Sequence, residues 1–119
     1  MIYRMMLPDL RGLDHEECWV IFLNRAHFVL SRRRMSSGGL DATVMDIKQI
    51  MRTAMDSAAQ YIVLVHNHPS GNPTPGRDDC MQTEALRNAL ATVEISLLDH
   101  VVVAEDSYYS FLEERVTQL

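Results

Sequence analysis

The chain has 119 residues, which suits one domain with a single real core. Hydrophobic residues make up 47% and charged residues 23%, a balance that excludes a disordered chain. A formal net charge of −5 argues against a surface built as an electrostatic sleeve for DNA or RNA.

Met1 to Leu10 is a short amphipathic piece ending near Pro8, and its conformation stays open. Glu17-Cys-Trp-Val-Ile-Phe-Leu23 is apolar on both alternating faces from Cys18 onward, as in a strand buried on both sides. Asn24-Arg25-Ala26 gives a turn and His27 to Leu30 starts a return strand, so a hairpin is expected. Arg32-Arg33-Arg34 would lie on that strand with the middle arginine facing away from its neighbours, a solvated strand end rather than one phosphate site. Ser36-Ser37-Gly38-Gly39 is a loop by composition. Asp46 then opens a helix, with Gln49 completing a capping-box pattern. Ile47, Ile50, Met51, Ala54, Met55 and Ala58 recur at helical spacing, so both methionines read as core.

Tyr61 to His66 is a second continuous apolar strand. A helix follows from about Pro75 to Val93, with Leu86, Ala89, Leu90 and Val93 inward. Strands over Ile95 to Ala104 and Tyr108 to Phe111, around a turn at Glu105-Asp106-Ser107, finish the chain. The order β-β-α-β-α-β-β predicts one mixed α/β sheet with helices packed on it. Cys18 and Cys80 sit beside apolar residues with no C-x-x-C spacing, which favours buried free thiols in a reducing cytoplasm. No apolar run nears the ~20 residues of a membrane span. Arg4, Pro8 and Asp9 interrupt any signal-peptide pattern, so a soluble cytoplasmic protein without a membrane partner is expected.

The chemistry concentrates in "HNHPSGNPTPGRDD", His66 to Asp79. His66 and His68 are two apart at a strand end, so their side chains share a face about 6.5–7 Å apart along the strand. Both imidazoles can lean onto one ion at about 2.0–2.1 Å. Pro69 stops the ladder, Ser70-Gly71-Asn72-Pro73 turns the chain, and Pro75 suits the first turn of the next helix. Asp78 and Asp79 favour the dipole there, and one of the two can swing back beside the histidines. Two nitrogens, one oxygen and an open position for water make the catalytic zinc arrangement. The competing reading is two histidines that hydrogen-bond locally and an aspartate that serves the helix alone.

At these residues, with "LDHEECWVIFLN" upstream and "LLDHVVVAEDSYYSF" downstream, the chain closely resembles RadC-like proteins of the JAMM (MPN-type) metallopeptidase superfamily. The resemblance runs from about Leu13 to Phe111 and implies the JAB/MPN, cytidine-deaminase-like fold. It implies one such domain over residues 1–119, with 1–12 as an N-terminal extension. It also implies His66, His68 and Asp79 as ligands of one zinc per chain, with Asp78 the exposed neighbour. Glu16 is the implied proton-transferring base, and Glu17 beside it is the alternative. The motif's serine falls on Gly76, where the superfamily hydroxyl would help hold the oxyanion; Ser70, Ser36 or Ser37 are other possible donors. Asp99-His100 resembles a RadC signature without a catalytic role, and reads as a buried pair supporting the sheet.

The leading expectation is a zinc-dependent hydrolase acting on a peptide or isopeptide amide of an unspecified peptide or protein. A non-catalytic metal-binding scaffold and a DNA-repair-associated module are the alternatives, and nucleic acid is not expected to bind this domain alone. Zinc deaminases need H-x-E and P-C-x-x-C, which are absent, and "HNH" here is three consecutive residues, unlike the spread residues of HNH nucleases.

Overall fold

A computed structural model describes residues 2–37 and 46–119. Its elements are α1 (Ile2–Leu10), β1 (Glu17–Leu23), β2 (Val29–Ser37), α2 (Ile47–Asp56), β3 (Tyr61–Asn67), α3 (Arg77–Ala91), β4 (Ser96–Val103), β5 (Ser107–Ser110) and β6 (Arg115–Gln118). The strands form one mixed sheet in the order β2-β1-β3-β4-β5-β6. Among the described residues only β3 and β4 run parallel, joined by the crossover through α3. The expected mixed sheet is present, with β6 added at one edge and α1 packed on one face.

Alternation along β1 and β3 divides the core in two. Val20, Phe22, Ile62 and Leu64 pack with Ile50 and Ala54 of α2 and Leu86 and Leu90 of α3. Ile21, Leu23, Val63 and Val65 pack on the opposite side with Met6 and Leu10 of α1. Pro8 lies inside α1, where it removes one helical donor, and burial of Met6 and Leu10 holds the turn despite that loss.

Several local expectations change. Asp46 caps α2 by accepting from the Gln49 N–H at 3.0 Å, as expected. The helix stops at Asp56, however, and leaves Met55 half-exposed at 52%, so Met51 touches the core and Met55 does not. Ser36 and Ser37 belong to β2, not to a loop, because they continue the pairing with Cys18 and Glu17; Gly38 and Gly39 lie outside the described residues. The return strand begins at Val29, since His27 takes a left-handed φ of 68° in the turn. Pro75 precedes the Gly76 cap of α3 and is not in its first turn. Cys18 is buried and free, but Cys80 is exposed on α3.

Arg32 reaches Asp9 at 2.7 Å and stands over the Trp19 ring, and Arg34 lies 3.6 Å from Glu17. The arginine run is therefore spent on local partners at two of its three positions. No helix among the described residues is long and apolar enough to cross a membrane.

Candidate metal centre

Strand register brings the site together. β1 runs antiparallel to β3 with Cys18 opposite His66, so the same register continued by two residues sets Glu16 opposite His68. Glu16 shares the parity of Cys18, Val20 and Phe22, which is the face of His66 and of α3. Asn67 points to the other face and fastens the segment there. Its Oδ1 accepts from the Glu17 N–H at 2.7 Å and its Nδ2 donates to the His15 carbonyl at 2.9 Å. Both chain neighbours of Glu16 are thus tied to the end of β3.

The turn after β3 returns a carboxylate to the same place. The His68 N–H still bonds the Val103 carbonyl at 2.9 Å, and Pro69 then ends the ladder. Gly71 takes a φ of 89°, a left-handed conformation that glycine adopts without steric cost. The chain enters α3 at Gly76, whose N–H donates to Asp79 Oδ2 at 2.8 Å. That bond is half of a capping box; glycine has no side chain for the other half. It turns Asp79 inward, and Asp78 stays exposed on the cleft wall.

His66 Nε2 and His68 Nε2 lie 3.0 Å apart. Asp79 Oδ1 lies 3.4 Å from His66 Nε2, and Oδ2 lies 3.3 Å from His68 Nε2. Ligands at 2.0–2.1 Å around a tetrahedral ion sit about 3.3–3.4 Å from one another. Glu16 offers a carboxylate oxygen within 4.8 Å of the two histidine nitrogens. His68 Nδ1 must donate to the Asn72 carbonyl at 2.9 Å, because a carbonyl only accepts. In a neutral His68 its Nε2 is then a bare lone pair aimed at other acceptors. Such a donor set fits a divalent cation, and these residues could hold one.

A family model described as the RadC-like JAB domain matches residues 1–116. This chain belongs to that family. It is 34% identical over 114 residues to a UPF0758 protein of Flavobacterium johnsoniae, covering 96% of the chain and 50% of that protein. A UPF0758 protein of Porphyromonas gingivalis is 36% identical over 115 residues, 96% of the chain and 51% of that protein. Another, from Listeria monocytogenes, is 35% identical over 111 residues, 93% and 50% respectively. The RadC-like chain therefore spans about half the length of these curated relatives.

Electrostatics separate the two glutamates of this RadC-like domain. Burial raises the Glu16 carboxyl; His68 draws it back and Asp79 pushes it up again, leaving it above its ordinary value. Burial would also raise Glu17, but hydrogen bonds from His15 at 2.9 Å and Trp19 at 3.1 Å, with the charge of Arg34, bring it below. Glu17 is a covered structural anion; Glu16 faces the cleft. Burial pushes His66 down to about 4, against the attraction of Asp79. Burial would lower His68 too, yet its bonds to Asp79 and Asn72 raise it. Asp79 is held at about 2: burial opposes this, but the His68 and Gly76 hydrogen bonds prevail.

Glu16, His68, Ser70, Gly76 and Asp79 line an open cleft of about 550 Å³. Ser70 is thus at the cleft, whereas the side chains of Ser36 and Ser37 lie outside the described residues. Gly76 has φ −81° and ψ 174°, so no left-handed backbone requires glycine at this position. The Asp99–His100 expectation needs correction. Asp99 binds Ser110 Oγ and the Leu112 N–H, at 2.7 and 2.9 Å, while His100 turns to the α3 face and meets His66. Successive strand residues leave on opposite faces, so no side-chain pair forms. Sequence reasoning named His100 as a buried residue but missed its contact with His66, and it gave Asn67 no part in holding the segment of Glu16. Strand parity puts Asn67 on the face away from the histidines, but its partners lie 50 and 52 residues away in sequence.

Proposed function

We propose that this domain is a zinc-dependent hydrolase that cleaves a peptide or isopeptide amide. The observation that carries the reading is the approach of His66 Nε2, His68 Nε2 and the Asp79 carboxylate to 3.0–3.4 Å of one another beside Glu16. His66, His68 and Asp79 would hold one zinc, which when bound supplies an acidified water and a polarised carbonyl. Glu16 is the base in this reading. Its raised carboxyl stands on the cleft side of the histidines, suited to take up a proton and release it to the leaving nitrogen. Membership of the JAB family supports the same assignment.

The open cleft suits an extended peptide segment, and a peptide or protein is the partner we propose. The net charge of −5 speaks against nucleic acid as the substrate of this domain. One observation favours a second reading, a metal-binding scaffold without turnover: position 76 offers no hydroxyl to an oxyanion.

Zinc stoichiometry after chelation and reconstitution, followed by a peptide and isopeptide panel, tests the proposal. The expected result is about one zinc per chain, with cleavage lost in Glu16→Gln while zinc is kept. Failure of the wild type to retain zinc, or cleavage indifferent to chelation, would overturn it.

A further inference from the structure

His100 lies at the centre of β4, 2% exposed, with its ring stacked on Phe111 at 4.6 Å. Its Nε2 is 2.6 Å from His66 Nδ1. Its Nδ1 is 2.5 Å from Thr83 Oγ1, and Thr83 Oγ1 is 2.6 Å from the backbone carbonyl of Asp79. This chain of contacts starts on one proposed ligand and ends on the backbone of another.

The direction of every bond follows from the last one. A carbonyl oxygen only accepts, so the single Thr83 hydroxyl proton must point at Asp79. Thr83 Oγ1 therefore accepts from His100, and His100 Nδ1 must carry a proton. A neutral His100 has no second proton, so its Nε2 accepts from His66 Nδ1–H. A neutral His66 then has a bare Nε2, facing His68 and Asp79. In the opposite direction Thr83 and the Asp79 carbonyl would meet at 2.6 Å without a proton between them.

We propose that His100 and Thr83 are positioning residues that lock His66 as its Nδ1–H tautomer and so present its Nε2 lone pair to the site. A ligand histidine usually has its outer nitrogen fixed by a carboxylate or carbonyl, and loss of such a partner typically costs 10–100-fold in metal affinity. Here a second histidine fills that role, relayed by a threonine to the helix that carries Asp79. Asp79 and His66 are thereby joined at their outer ends, so that α3 and β3 keep one spacing. Only the affinity part of this inference rests on the zinc reading; the tautomer belongs to the metal-free chain as well.

Long-range 1H–15N NMR of the metal-free protein, at mildly alkaline pH, reads the tautomer directly. His66 should be protonated at Nδ1 and bare at Nε2. Thr83→Val keeps the shape and removes the hydroxyl; it should mix the His66 tautomers and weaken zinc about 10–100-fold. Thr83→Ser should restore both. A wild-type His66 protonated at Nε2 would overturn the proposal. So would a Thr83→Val protein that melts earlier with tautomer and affinity intact, since that is a merely structural role. A wild type that binds no zinc yet shows the Nδ1–H tautomer, lost in Thr83→Val, supports this inference and rejects the zinc reading.

Discussion

Asn67→Ala is the perturbation that best tests how Glu16 is held. The Asn67 side chain is 3% exposed and makes two bonds, to the Glu17 N–H and the His15 carbonyl. Glu17 is buried, so its orphaned N–H cannot recover water, and such a group costs about 1–3 kcal/mol. The His15 carbonyl belongs to a partly exposed residue and can rehydrate, so its loss is nearer the net value of about 0.5–1.5 kcal/mol. The sum is roughly 2–4 kcal/mol, a fall in Tm on the order of 10 °C for a domain of this size. Thermal unfolding of the metal-free protein measures it. His66, His68 and Asp79 make no hydrogen bond to Asn67 among those described, so zinc affinity should change little while cleavage falls with the released Glu16. A variant that melts with the wild type, or that loses zinc in proportion to its activity, would refute the argument that Asn67 serves Glu16 and not the ligands.

Glu16→Gln should keep zinc and stability and abolish hydrolysis, whereas Glu17→Gln should lower Tm by several degrees and keep turnover; the reverse pattern in a paired kinetic and melting assay would exchange their roles. Gly76→Ser should be accepted, because an added Cβ meets only Asp79 Oδ2, at 3.7 Å, and the backbone is unstrained. A gain in stability of about 0.5–1 kcal/mol is expected from capping and from a stiffer unfolded chain. Any oxyanion role should appear as a rise in kcat of up to about 10²–10³ at constant zinc affinity, and its absence on a cleaved substrate means another donor serves. His68 has a raised pKa in the metal-free chain, so its proton stabilises that form below the unfolded value and is lost as pH rises through the folded one. Zinc must displace any proton on that nitrogen, and calorimetry in two buffers of different ionisation enthalpy should find net proton release on binding, with affinity falling as pH drops. Binding to duplex DNA should be weak and lost at moderate salt; a titration insensitive to salt would contradict the charge argument.

The strands were legible where burial on both faces left one pattern, as in Cys18–Leu23 and Tyr61–Val65. Asp46 was legible for a local reason, a side chain reaching an N–H three residues on. β6 was not, because Arg115–Gln118 is a short edge strand with three exposed residues and no apolar alternation. Cys80 was misread because neighbouring apolar residues do not say on which side of a helix a position falls, and Met55 because the apolar spacing runs on to Ala58 while the helix stops at Asp56. His66 and His68 were visible together through the two-residue period. His100 was not: it meets His66 only because β3 and β4 are parallel, with an irregularity between Ile62 and Val63 that shifts the register. Nothing local to Asp99-His100 encodes that offset.

Glu16 and Glu17 illustrate the same boundary from the other side. They are adjacent and chemically identical, and composition cannot rank them. Parity can, once Cys18 is known to face the α3 side: Glu16 shares that face and Glu17 takes the side of Trp19. Partners then reinforce the division. Glu17 is covered by His15, Trp19 and Arg34, which hold its charge and leave it no proton to exchange near neutrality. Glu16 is burdened by burial and by the negative Asp79, which make its proton easier to keep. One residue of register thus separates a structural anion from a candidate base. It follows that deleting Glu17 would be more damaging to chemistry than to folding class, since the sheet could keep its pairing from Cys18 onward while His15 replaced the carboxylate facing His68.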